Sequence, residues 1–280
     1  MRFVSVADSD GARPGVLDGD RIRLIDCATM LEFIALPERD RIARMSDECV
    51  ALENARLDAP VRPARNVICV GRNYREHAAE GARALGRALK LPDVPTFFTK
   101  AANAVAAPDA PLHLPACVSH EYDFEAELAV VVGTRCKDVE AARWHEVVFG
   151  YTCLNDVTAR DLQRAHGQWF KGKSLDETCP LGPSIVSADE LPEPQRLEIR
   201  FSLNGIEMQH SNTSRMIFPI PRLIAELSRG MTLEAGDVIA TGTPAGVGFA
   251  RTPPVFLKDG DEMRVEIESI GALCNQVRIT

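Results

Sequence analysis

The chain has 280 residues, 45% of them hydrophobic and 26% charged, proportions that exclude a disordered polypeptide. Its formal net charge is −8 and no window forms a basic stripe, which excludes nucleic acid as a partner. The longest clean apolar run, residues 128–132, falls far short of the ~20 residues of a membrane span, and Asp8 interrupts the start where a signal peptide would stay apolar, so a soluble cytoplasmic protein with no membrane partner is expected.

In chain order, the first signal is a hairpin over residues 15–22, with Asp18-Gly19 at the turn. Ile42, Met45, Cys49 and Leu52 recur at helical spacing and predict a helix there. The proline-marked stretch 58–63 then reads as a connector, dividing a small N-terminal α/β domain (residues 1–62) from a catalytic domain (residues 63–280). Beyond it, strands are predicted at 67–70 and 124–132 and helices at 76–84 and 139–147. A hairpin is predicted around Asn204-Gly205, a proline-opened helix over 221–227, and a last hairpin at Asp259-Gly260 between 254–257 and 263–267. The expected fold class is therefore α+β, strand-dominated and mostly antiparallel, rather than a doubly wound parallel sheet. The eight cysteines show neither a C-x-x-C pair nor zinc-ligand spacing and read as reduced, small core residues.

Three segments carry chemistry. On a strand Glu125 and Glu127 would point the same way and Asp123 would join them, giving either a solvated acidic face or a cation site. The apolar continuation on both faces, through Ala129 and Val131, favours burial, and buried carboxylates at that density need a cation. Asp156 ends an apolar strand-like run and suits either a helix N-cap or a third ligand; three carboxylates without Cys or His suit a hard ion, Mg²⁺ first, then Mn²⁺ or Ca²⁺. His77 and Glu80 stand at i, i+3 on the predicted 76–84 helix, as an ordinary surface pair or as a general base with its orienting carboxylate. Gly167 to Ser174 satisfies the bare phosphate-loop pattern, but polar residues precede it and Pro180 follows closely, so nucleotide binding is not expected.

Taken together, from Asn66 to Val277, these segments resemble the fumarylacetoacetate hydrolase family. Glu125 and Glu127 match its E-x-E pair, and residues 155–161 match its N-D-x-[ST]-A-R-D motif, with Asp156 as third ligand. Lys173 matches its active-site lysine, His77 and Glu80 the dyad of the acylpyruvase-like branch, and residues 241–248 the T-G-T-P-x-G-V-G loop, with Thr243 facing substrate. Arg72, Tyr74, Arg160 and Gln163 fall where that family lines its pocket. The resemblance implies a mixed β-roll catalytic domain, a small N-terminal domain, a homodimer and a small 2-oxo acid substrate. It also implies a divalent-metal-dependent hydrolase that cleaves a C–C bond in an acylpyruvate or related 2,4-dioxo acid. In that reading His77 with Glu80 takes a proton from water and Lys173 supplies charge at the developing oxyanion. The alternative is an isomerase, tautomerase or decarboxylase of 2-oxo dicarboxylates on the same site. Light scattering at micromolar concentration should return about 61 kDa, twice the 30.6 kDa chain; a monomer mass would remove the dimer.

Overall fold

A computed structural model describes residues 1–9 and 11–280. Among the described residues, strands dominate: a twelve-stranded sheet, a five-stranded sheet and a two-stranded ribbon. The large sheet runs, edge to edge along its main path, Met45–Ala51, Arg21–Ile25, Gly11–Asp18, Arg2–Asp8, Cys179–Ser187, Val148–Asn155, Ala126–Val132, Val238–Ala240, Val67–Gly71 and Thr96–Lys100. Its pairing is antiparallel except where Val238–Ala240 meets Val67–Gly71 and where Val105–Ala106 joins Cys179–Ser187. The first strand pairs with Cys179–Ser187, so backbone hydrogen bonding crosses the proline connector at 58–63. No helix is long and apolar enough to cross a membrane.

The Ala126–Val132 strand is buried along its whole length, as its apolar run requires. Side chains alternate faces on a strand. Ala126, Leu128, Val130 and Val132 enter the core shared with the five-stranded sheet. Ala129 and Val131 enter a second core with Phe3, Phe33, Ile34, Val238 and Ala240. The two cores therefore hold this strand from both sides and immobilise the residues at its start. Next to it, the rings of Phe124 and Phe201 stack at 4.2 Å with planes 8° apart, which ties the chain before Glu125 to the second sheet.

The hairpins at Asp18-Gly19 and Asn204-Gly205 form as expected. So do the helices Arg75–Ala84 and Ile220–Ser228, the latter with proline in its first turn, while 141–147 winds as the tighter 3₁₀ form. Two expectations fail. Residues 45–51 form an edge strand against Arg21–Ile25, not a helix. Met45 and Cys49 are four apart, a spacing that fits period 2 as well as 3.6, and the open edge of Arg21–Ile25 supplies backbone partners that a short helix lacks. The last hairpin joins Glu262–Ile267 to Gly271–Ile279, turning at 268–270 rather than at Asp259-Gly260. Pro253 and Pro254 withhold donors that a strand over 254–257 would need. All eight cysteines are free, as expected; Cys69, Cys153 and Cys179 are core, whereas Cys49 and Cys117 are exposed. Phe201→Ala should cost about 3–5 kcal/mol in denaturant unfolding, because it opens a cavity beneath the Phe124 ring, with Phe201→Leu costing less.

Candidate active site

Register assembles the acidic cluster. Ala126 pairs with Asn155, so the residues flanking that pair, Glu125 and Asp156, come together where the two strands begin and end. The Asp156 N–H donates to the Glu125 carbonyl at 2.9 Å, and the Glu125 N–H donates to Asn155 Oδ1 at 3.0 Å. Asp156 is no helix cap, since the next helix starts at Arg160 with Ala159 before it. Carboxylate oxygens of Glu125, Glu127 and Asp156 lie within 4.8 Å of one another, all buried. Asp123 does not join that face. It sits in the two-stranded ribbon with Thr158, and its oxygens accept from the N–H groups of Gly248 and Phe249 and from Arg160.

The cluster is short of positive charge. Arg160 donates to Asp123 Oδ2 at 2.8 Å and to Glu125 Oε1 at 2.6 Å. Lys173 Nζ bridges Glu125 Oε2 and Asp156 Oδ2, both at 2.7 Å, and Lys100 Nζ donates to Asp156 Oδ1 at 2.7 Å. Four buried carboxylates thus face three buried cations. Burial opposes the charge on Glu125, yet Lys173 and Arg160 outweigh it and hold its carboxyl well below the usual range. Burial, and then the charges of Asp156 and Glu125, push Glu127 well above it. Glu127 pairs with no cation among the described residues and accepts from the Gly242 N–H at 2.7 Å. Gly242 stands at φ +100°, where a Cβ would meet Asn73 and the Val70 carbonyl, so only glycine brings that N–H so close. An ionised carboxylate offers about four acceptor positions, so the lysine and arginine contacts leave room on each ligand. An all-oxygen set with unbalanced negative charge fits a hard divalent cation.

Lys173 closes the four-residue helix Phe170–Lys173, directed by its ammonium into the carboxylates; no strand leads into this segment, and the phosphate-loop pattern is incidental. Lys100 was not among the sequence candidates. It closes the Thr96–Lys100 strand and is fully buried, and a lysine ending an apolar strand is the signal that marks it.

From the Arg75–Ala84 helix, His77 lines the same cavity, and Glu80 pairs with it. His77 Nδ1 lies 3.0 Å from Glu80 Oε1, and both Glu80 oxygens accept from the Gly246 N–H, at 3.0 and 2.8 Å. With side chains only 12% and 15% exposed, this is no ordinary surface pair. Asn73 holds the helix approach by donating to the carbonyls of Phe218 and Thr241. The cavity measures about 550 Å³ and is walled by Phe98, Trp169 and Phe249. Arg72, Arg160, Gln163, Lys173 and Thr243 line it, and Thr243 Oγ1 accepts from Gln209 Nε2 at 2.8 Å. Tyr74, expected at the pocket, is fully buried and does not line the cavity. Burial, with Glu127 adding to it, pushes its hydroxyl pKa up.

Comparison with known proteins covers most of the chain. Residues 66–278 match the family described as fumarylacetoacetate (FAA) hydrolase C-terminal. An oxaloacetate tautomerase of Bacillus subtilis is 46% identical over 228 residues, 81% of this chain and 74% of the relative. Among solved structures, a fumarylacetoacetate hydrolase of Exiguobacterium antarcticum superposes with a TM-score of 0.87 at 40% identity, covering all of both chains. A 5-carboxymethyl-2-hydroxymuconate delta-isomerase of Mycobacterium smegmatis does so with 0.83 at 38%, again with full coverage.

If the carboxylates form a cation site, chelator-treated protein titrated with Mn²⁺ should bind one ion per chain by calorimetry. Asp156→Asn should weaken that binding at least about tenfold while the fold, checked by circular dichroism, persists; unchanged affinity would remove the site.

Proposed function

Because this chain belongs to the fumarylacetoacetate hydrolase family, we propose that it interconverts the oxo and enol forms of a 2-oxo dicarboxylic acid, with oxaloacetate as the first candidate. The observation that carries this reading is the His77–Glu80–Gly246 arrangement, a partly buried, oriented imidazole on the wall of the cavity that also holds Glu125 and Glu127. The Bacillus subtilis relative, a tautomerase by name, supports the same reaction class. The sequence put C–C hydrolysis first and rearrangement second; the relatives reverse that order.

The ion we propose is Mg²⁺, with Mn²⁺ or Ca²⁺ as substitutes, held by Glu125, Glu127 and Asp156. When bound, it supplies a Lewis acid that stabilises negative charge developing on the oxygens of a 2-oxo acid. The remaining work falls to the side chains. His77 takes a proton from the carbon between the oxo group and the distal carboxylate, while Glu80 holds the ring through Nδ1 and so leaves Nε2 as the accepting nitrogen. His77 then gives that proton to the oxo oxygen as the enol forms, which restores the neutral imidazole, and the reverse transfer regenerates the oxo form. Lys173 keeps fixed positive charge beside that oxygen, and the aromatic wall of Phe98, Trp169 and Phe249 limits access of water.

A second reading keeps the same groups but has His77 activate a water for attack on an acylpyruvate; the Exiguobacterium antarcticum hydrolase, similar over its full length, favours it. Two assays separate them: the change in enol absorbance of oxaloacetate, and release of a second carboxylic acid from acylpyruvates. His77→Ala should lower kcat by about 10²-fold or more with metal affinity unchanged, and Glu80→Gln should cost less. Wild-type turnover by His77→Ala would exclude the dyad.

A further inference from the structure

We propose that Arg87 and Lys90 form a recognition arm for the second carboxylate of the substrate, an inference that rests on the 2-oxo dicarboxylate reading above. The chain as a whole is acidic, at net −8. Its cavity reverses that balance: Arg72, Arg87, Lys90, Arg160, Arg164 and Lys173 line it, against only two acids, Glu125 and Glu127.

Most of these cations are already engaged. Arg160 and Lys173 hold the cluster carboxylates. Arg164 pairs with Glu121 at 2.6 Å. Arg72 donates to Thr96 Oγ1 at 3.2 Å and lies 6.0 Å over the Trp169 ring. Arg87 and Lys90 make no ion pair and no side-chain hydrogen bond among the described residues, although both line the cavity. Two unpartnered cations at the rim of a cavity give an anion somewhere to go.

Their place in the chain links them to the proposed base. The Arg75–Ala84 helix ends in a left-handed glycine, Gly86 at φ +62°. The Gly86 N–H donates to the Arg83 carbonyl at 3.0 Å, and the Arg87 N–H donates to the Ala82 carbonyl at 2.8 Å. That hydrogen-bond pair is a Schellman closure, and it fixes the Arg87 backbone to the helix bearing His77 and Glu80. Arg87 and Lys90 line the same cavity as Glu125 and Glu127, so a diacid whose near end lies at the carboxylate cluster presents its far end to a wall that carries two free cations. The arm therefore selects dianions over monoanions.

The test compares oxaloacetate with its half-ester, in which the distal carboxylate is masked and the reacting carbon is unchanged. The holoenzyme should favour the diacid in kcat/KM by about tenfold, the scale of charge-assisted hydrogen bonds on a partly exposed group. In Arg87→Ala/Lys90→Ala that ratio should fall toward one, and raised ionic strength should cease to affect KM for the diacid. Arg87→Lys/Lys90→Arg, which keeps both charges, should retain the ratio. An unchanged ratio in the double alanine variant overturns the arm while leaving the tautomerase reading intact. Where neither compound turns over, that reading fails, and calorimetry of malate against its distal half-ester decides the arm separately. Tighter malate binding that the double variant loses supports the arm; equal binding overturns it.

Discussion

Ala126 pairs with Asn155, and this register brings Glu125, Glu127 and Asp156 into one buried cluster. Like charges so close repel in a low-dielectric interior, and an isolated buried carboxylate costs several kcal/mol. The surroundings answer that cost in kind. Lys100, Arg160 and Lys173 reach the cluster from three separate elements, each within hydrogen-bond distance. Counting Asp123, four carboxylates meet three cations, and Glu127 is the carboxylate without one. A shift of one residue in the pairing would send Glu127 into the opposite core and dissolve the cluster.

The rigidity that this requires comes from the two hydrophobic cores. One holds Leu128 and Val130 with the five-stranded sheet, the other holds Ala129 and Val131 with Phe3, Phe33 and Ile34. The N-terminal strands thus contribute to the site without touching it, by closing the second core and extending the sheet through Arg2–Asp8. The helix carrying His77 is less deeply seated, with Ala78 as its buried residue. Its hold on the site runs through polar bonds, Glu80 to Gly246 and Asn73 to Thr241 and Phe218. A rigid metal-type cluster faced by a helix anchored at a few hydrogen bonds is an arrangement in which base position can respond to what occupies the cavity.

Hydrolysis and tautomerisation differ here by little that a motif encodes. Both need a base beside a polarised 2-oxo group; one needs a water placed for attack and the other needs water kept away. Those requirements lie in the cavity walls, built from Phe98, Trp169 and Phe249 on unrelated segments. This is why the sequence ranked the two reactions in one order and the relatives favour the other.

By itself the sequence determined the strand-rich fold class, two of the three expected Asx-Gly hairpins, the buried strand after Glu125 and the need of Glu125 and Glu127 for a counter-charge, while the family resemblance singled out Asp156 as third carboxylate and His77–Glu80 as a site pair. The former rest on local physics: period-2 burial, turn residues that tolerate positive φ, and acids that a strand interior cannot keep without a counter-charge. Tertiary structure decided the rest. Residues 45–51 became a strand because an open sheet edge offered partners, and the C-terminal hairpin moved because two prolines could offer none. Tyr74 turned into the core, Asp123 left the acidic face for Arg160, and Lys100 arrived as a buried counter-charge 56 residues before Asp156. Such long-range pairings depend on register and sheet order, which no window of sequence contains, because a charge finds its partner only after the backbone has brought the two together.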